Sequence, residues 1–193
     1  MKKGIMNKIV LLFLFLALIA CTAPALDKGT PSQDVYRVTS MLIPLTRYAD
    51  KAKMTVARVV RVVDGDTIKV ETSTPPPGIA VAETIRLVGV DTPEIVDRRK
   101  PVQRFAKEAS NYVKARLTGK SVRLAFDKDL RDRYGRLLAY VFLEDGSCFD
   151  LELILEGYGY AYVKYPFFFM EEFRHAELEA RYEKRGLWGS GDK

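Results

Sequence analysis

A chain of 193 residues has room for one ordinary domain with appendages, and a 48% apolar fraction with ten Phe and ten Tyr excludes a wholly disordered polymer. Two cysteines and one histidine are too few for a Cys/His zinc site, which takes about four such ligands, so chemistry falls to carboxylates, arginines and an oxygen-liganded metal. The formal charge is +6, but Lys2, Lys3 and Lys8 lie in a leader expected to be removed; the mature excess is about half, a mild basicity that suits a polyanionic partner.

Residues 1–8 carry those lysines, and Ile9 to Ala20 form an unbroken apolar run ending at Cys21. A charged segment before an apolar run of this length is the pattern of a signal peptide, too short to span a bilayer, which takes about 20 residues. Leu18-Ile19-Ala20-Cys21 resembles a bacterial lipoprotein processing box, in which the cysteine is lipidated and becomes the first residue. The expectation is a signal peptide over 1–20, a lipid on Cys21 and a protein anchored on the extracytoplasmic side of a membrane, or secreted if Cys21 stays unmodified. Cys148 is then left without a disulfide partner, as a small buried hydrophobe. Residues 21–52 mix Pro, Gly, Ser and Thr with an apolar patch from Val35 to Tyr48 that Pro44 interrupts. No periodicity persists there. The segment reads as a tether, reaching at most ~110 Å when extended at about 3.5 Å per residue.

From Lys53 the pattern turns to strands, and residues 53–193 form the folded domain. Thr55 to Val63 is valine-rich with imperfect alternation, as in a curved strand that touches two faces, and Asp64-Gly65 is a hairpin turn signal. Ile68 and Val70 alternate with Lys69 and Glu71 as a half-buried second strand. A loop with Pro75, Pro76, Pro77 and Gly78 leads to a third strand over Ile85 to Val90. Pro101 to Leu117 reads as a helix with Phe105, Ala109, Tyr112 and Val113 on one stripe, stopped by Gly119. Val122, Leu124 and Phe126 mark a fourth strand, Asp127 to Gly135 a basic turn, and Leu137 to Leu143 a strand apolar on both faces and therefore central. Asp145-Gly146 is another turn. Leu151 to Glu156 reads as a short helix ended by Gly157, and Met170 to Arg185 as a longer one with Gly186 at C′. Leu187 and Trp188 are expected to fold back onto the domain, and His175 to face solvent from the last helix. Five strands with a helix inserted before the fourth fit an α+β architecture: a five-stranded Greek-key barrel of the OB-fold type with about three helices.

Three short segments carry the chemistry: Asp64-Gly65-Asp66-Thr67, Arg86 to Glu94, and Asp132 to Arg136. Each alone reads equally well as a turn or a strand end. Two aspartates brought together disfavour each other's ionisation, which a divalent cation reverses. An all-oxygen donor set favours Ca²⁺ or Mg²⁺. Ca²⁺ is the better match, because it tolerates irregular geometry at about 2.3–2.6 Å. An arginine fork pairs two phosphate oxygens while staying charged. With no histidine in the motifs, Glu94 is the only candidate base beside the metal ligands. In a regular strand Arg86 and Asp91 face opposite sides, so both reach one site only if the strand breaks between Val88 and Val90, with Gly89 as the place for it.

Together the segments Val63-Asp64-Gly65-Asp66-Thr67, Arg86-Leu87 with Val90-Asp91-Thr92-Pro93-Glu94, and Tyr134-Gly135-Arg136 with Leu138-Ala139-Tyr140 closely resemble the staphylococcal nuclease (thermonuclease) family in order and spacing, over residues 54–188. The resemblance implies roles. Asp66 and Asp91 match metal-binding carboxylates, and Thr92 a main-chain carbonyl on the same ion. Glu94 matches the carboxylate that activates or orients the attacking water, and Arg86 and Arg136 the two arginines on the scissile phosphate. Lys100, Arg133, Tyr134 and Tyr162 fall at nucleotide-contacting positions, although the tyrosine-rich stretch around Tyr162 aligns in more than one way. The implied activity is a calcium-dependent hydrolysis of DNA, especially single-stranded, and RNA, breaking P–O5′ bonds and leaving 3′-phosphates. No protein partner is implied, and a monomer is expected.

Two other classes stand beside the nuclease. One is a non-catalytic OB-fold lipoprotein that holds single-stranded nucleic acid, and the other a structural or adhesive surface protein on the same fold. Tyr165-Pro166-Phe167-Phe168-Phe169 reads as core, as a base-stacking surface or as a membrane contact.

Overall fold

The computed structural model describes residues 54–94 and 103–189. The leader, Cys21, the tether, Lys100 and the first two residues of the expected helix at 101 lie outside the described residues.

Among the described residues seven strands and three helices follow in order: β1 (Thr55–Asp64), β2 (Thr67–Glu71), β3 (Ala82–Leu87), β4 (Val90–Asp91), α1 (Ala106–Leu117), β5 (Ser121–Arg131), β6 (Leu137–Phe142), α2 (Phe149–Leu155), β7 (Tyr160–Ala161) and α3 (Met170–Tyr182), with a closing 3-10 turn at Gly186–Trp188. Five strands close a barrel in the order β1-β2-β3-β6-β5, and β4 pairs separately with β7. β3 and β6 are parallel, while the other barrel pairs are antiparallel. This is the expected five-stranded barrel with three helices. The imperfect alternation of β1 has its cause in two register shifts, at Val59/Arg61 and Val62/Asp64, where extra residues bend the strand. β6 is buried on both faces, as its apolar sequence requires, with Ala139, Tyr140, Val141 and Phe142 all fully buried. One continuous core joins the barrel to all three helices, from Ile68 and Val70 through Val113 and Leu117 to Phe149, Leu153 and Phe173.

Several boundaries differ from the sequence reading, among them the start of α2, at Phe149 and not Leu151. The third strand does not run from Ile85 to Val90; it stops at Leu87 and resumes as β4 after a turn at Gly89. α1 begins at Ala106, because Phe105 adopts a left-handed backbone (φ 69°) that cannot continue a helix. Asp127 to Arg131 belongs to β5 and not to a turn, since Arg131 pairs with Leu137 and its guanidinium grips Glu83 at 2.7 Å. α3 ends at Tyr182, and Lys184 (φ 54°) is the left-handed residue behind it. Gly186 has a different task from capping. A Cβ on Gly186 would overlap the Gly157 carbonyl and one on Gly157 the Arg185 carbonyl, and Leu187 N–H donates to Gly157 O at 2.8 Å. Leu187 and Trp188 do fold back, with Tyr160 edge-on to Trp188 and the Arg181 guanidinium 4.0 Å over its ring centre. His175 is exposed and Cys148 fully buried, as expected. The aromatic run divides: Phe169 is core, Phe167 packs against it, and Tyr165 and Phe168 remain exposed.

α2 is locked to α1 by Glu152. Its carboxylate accepts Arg116 Nε at 2.7 Å, Arg116 Nη2 at 2.8 Å and the Tyr112 hydroxyl at 2.6 Å. This satisfies a nearly buried charge, which is why an acid is tolerated on the inner side of a helix.

Candidate active site

The site forms where three turns meet. The first is the β1–β2 hairpin. Gly65 N–H donates to Asp64 Oδ1 at 2.9 Å, and Gly65 lies so close to Thr92 that a Cβ would overlap its side chain. That close approach buries the carboxylate of Asp66, the next residue. Its Oδ1 accepts the Thr67 hydroxyl at 2.9 Å and its Oδ2 faces the Thr92 amide at 3.4 Å.

The second turn is the break between β3 and β4. Gly89 takes φ +71°, and a Cβ there would overlap the Phe167 and Phe173 rings. The break reverses side-chain parity, so Arg86 and Asp91 face each other. Arg86 Nη1 donates to Val90 O at 2.7 Å and lies 3.0 Å from Asp66 Oδ2, while Nη2 donates to Asp91 Oδ1 at 3.0 Å. One guanidinium thus gathers both aspartates. Burial pushes the Asp91 carboxyl up; the Arg86 charge opposes this, and Asp66 and Glu94 add to it. Negative charge therefore converges at Asp91.

The third turn connects β5 to β6. Asp132 Oδ1 accepts the amides of Tyr134 and Arg136 at 2.9 and 3.0 Å, and its Oδ2 accepts Arg136 Nε at 2.7 Å. Burial raises the Asp132 carboxyl, but these bonds outweigh it and hold the group below its usual range. Arg136 Nη1 then reaches Thr67 Oγ1 at 3.3 Å, tying this turn to the hairpin of Asp66. Arg133 packs 4.7 Å over the Tyr134 ring.

Arg86, Asp91, Arg133, Tyr134, Arg136 and Tyr162 all line one cleft of about 580 Å³. Asp66 and Thr92 are buried beside it, and Glu94 is exposed near Asp91. Of the expected site residues, only Lys100 and Cys21 fall outside the described residues. Among the described residues, no three of His, Cys, Asp and Glu cluster as a ready metal cage. The donors that do converge are the Asp66 and Asp91 carboxylates, held on one guanidinium, with Thr92 packed against Gly65 and its buried hydroxyl lacking a hydrogen-bond partner. This is an oxygen-only set, which fits a hard divalent cation.

Asp132, Gln103 and Lys164 have no role of their own in the sequence reading, and Tyr165 only a place in the aromatic run. Asp132 orients Arg136, and its Asp-to-Gly turn spacing was a usable signal. Gln103 fixes the Glu94 main chain: its Oε1 accepts the Glu94 amide at 3.2 Å and its own amide donates to Glu94 O at 3.3 Å. Nothing local in the sequence marks that pairing. Lys164 and Tyr165 also line the cleft, in the segment that the Tyr162 amide ties to Gly89 O at 2.8 Å.

A family model described as staphylococcal nuclease homologue matches residues 84–190. A thermonuclease of Staphylococcus hyicus is 40% identical over 134 residues, covering 69% of this chain and 75% of the relative. A thermonuclease of Staphylococcus intermedius is also 40% identical over 134 residues, covering 67% of this chain and 74% of the relative. Endonuclease YncB of Bacillus subtilis (strain 168) is 34% identical over 201 residues, covering 96% of this chain and 92% of the relative.

Proposed function

This chain belongs to the staphylococcal nuclease homologue family, and we propose from that membership and from the cleft geometry that it cuts DNA and RNA with Ca²⁺ as its cofactor. It is a phosphodiester-hydrolysing nuclease. The observation that carries the finer reading is the convergence of Asp66 and Asp91 on Arg86, next to Arg136 and in one cleft.

Asp66, Asp91 and the Thr92 carbonyl are the proposed ligands of Ca²⁺, which when bound supplies Lewis-acid polarisation of a phosphoryl oxygen. Arg86 and Arg136 hold the scissile phosphate from two elements, so the group is fixed in orientation as well as in charge. Arg136 is pre-aimed by Asp132, and its Nη2 makes no hydrogen bond to a described residue. Charge that develops on the phosphorus oxygens in the transition state is where these donors contribute, on the order of 3–4 kcal/mol each. Glu94 takes the proton of the attacking water while the P–O5′ bond breaks, and the departing 5′ oxygen takes a proton from solvent, leaving a 3′-phosphate and a 5′-hydroxyl. The exposed Tyr134, Tyr162 and Tyr165 offer ring faces to unpaired bases, which favours single-stranded or loosened substrate and low sequence preference.

Plasmid and single-stranded DNA incubated with Ca²⁺, with EGTA, and with Glu94→Gln test the reading. Cleavage should require Ca²⁺ and fall at least 100-fold in the variant, in keeping with loss of a general base. Cleavage indifferent to EGTA overturns the cofactor, and full activity in Glu94→Gln overturns the base. The proposed location, outside the membrane on a Cys21-linked lipid, rests on the apolar run before Cys21. Incorporation of a fatty-acid probe that persists in Cys21→Ala would refute it.

A further inference from the structure

We propose that a single nucleic-acid strand leaves the cleft over the Tyr134–Arg136 turn and continues along the outer face of the β2–β3 hairpin, where Lys69 binds the phosphate next to the one being cut. The inference rests on reading Arg86 and Arg136 as the phosphate clamp.

A second groove of about 440 Å³ lies on β2 and β3, lined by Lys69, Thr84 and Val60 and bounded by Tyr134, Gly135 and Arg136. Tyr134 and Arg136 also line the catalytic cleft, so one turn forms the wall between the two hollows and a strand crossing it touches both. The sheet register makes the path continuous. Thr67 pairs with Arg86, Lys69 with Thr84, and Glu71 with Ala82, and every second residue shares a face. Ile68, Val70, Ile85 and Leu87 are buried, and Glu83, opposite Val70, shares their parity, which leaves Arg86, Thr84 and Lys69 on the opposite face. Lys69 is one two-residue step, about 6.8 Å, along the hairpin from the Thr67–Arg86 pair. A step of that length is comparable to the distance between successive phosphates in an extended single strand.

Charge distribution sets the extent of the track. Lys69 is exposed and makes no ion pair with a described residue. Glu83, also in the groove, is neutralised by Arg131 through contacts of 2.7 and 3.1 Å and does not oppose a phosphate. Glu71, exposed at the far end, makes no close ion pair with a described residue, although Arg58 of β1 is its cross-strand partner, and its carboxylate faces a further phosphate. Lys69, with the exposed Arg61 of β1 as its cross-strand partner, is thus the positive charge one nucleotide step beyond the clamp. Tyr134 (68% exposed) and Val60 (36%) supply apolar walls for sugar and base, a sequence-tolerant contact.

The test is fluorescence anisotropy with labelled oligothymidylates of two and six nucleotides, in the Glu94→Gln background and with Ca²⁺ over a range of salt. Lys69→Ala should weaken the six-nucleotide probe several-fold, flatten its log-affinity against log-salt slope by about 0.7, and leave the two-nucleotide probe unchanged. Glu71→Lys should tighten the longer probe and steepen its slope. Both side chains are exposed, and an unchanged Tm accompanies either result. Unchanged affinity and slope for the long probe in both variants overturns the groove, as does equal weakening of both probes by Lys69→Ala. Arg136→Ala separates the premise: if it weakens neither probe, the clamp reading fails whatever Lys69 does.

Discussion

Asp150 stands at the start of α2 with no solvent exposure. Its Oδ2 accepts the Val141 amide at 2.8 Å, and its Oδ1 has no hydrogen-bond partner. Burial pushes its carboxyl up to about 8, against the pull of the Val141 amide and the Arg86 charge. Between its unfolded value near 3.8 and about 8, the native state keeps a proton that the unfolded state has lost. Stability contributed by this group therefore falls as pH rises through that window, by up to about 1.4 kcal/mol per unit, and levels off above it. Asp150→Asn keeps an acceptor for Val141 and does not titrate. Chemical denaturation at pH 5, 6, 7 and 8 should show the variant gaining on the parent at each step; parallel curves would refute the assignment. Asp150, Asp132 and Gln103 share a lesson about single residues. Each is an ordinary polar residue in the sequence, and burial or a long-range bond gives it its task.

At the scale of elements, Gly89 decides whether a site exists. Its left-handed φ and its contact with Phe167 and Phe173 both exclude a side chain. Gly89→Ala should cost about 1–2 kcal/mol for the backbone alone, with more from the overlap with Phe167, lowering the denaturant midpoint. Nucleolytic rate measured where the variant is still folded should fall further than the unfolded fraction accounts for, because Arg86 loses its alignment with Val90 O and Asp91. The need for this break was readable from parity, since Arg86 and Asp91 are an odd number of residues apart and both belong to one motif. The start of α1 and the end of α3 were not readable. Phe105 and Lys184 take left-handed conformations where no glycine signals them. Phe105 stacks on Tyr158, with ring centres 5.5 Å apart, a contact between segments far apart in the chain.

For the molecule as a whole, gathering two carboxylates at one point stores repulsion that a bound divalent ion relieves. Ca²⁺ binding only the folded state should raise Tm, with about 2.7 kcal/mol of stabilisation at a hundredfold excess over Kd. Thermal melts with Ca²⁺ and with EGTA should separate for the parent and coincide for Asp66→Asn. A Ca²⁺-dependent shift that survives Asp66→Asn would move the ion elsewhere.

The sequence by itself determined the five-stranded barrel, which strands are half-buried and which is central, and the three motifs, because alternation, Asp-Gly turns and apolar runs are local signals. It also determined which residue types were available for chemistry, since one histidine and two cysteines leave oxygen and guanidinium groups. Only the tertiary structure decided how those groups meet. The Gly65–Thr92 contact buries Asp66, the Gly89 turn aims Asp91 at Arg86, and Asp132 turns Arg136 toward Thr67. Each of these depends on the path of one backbone past another segment of the chain, which side-chain periodicity does not encode.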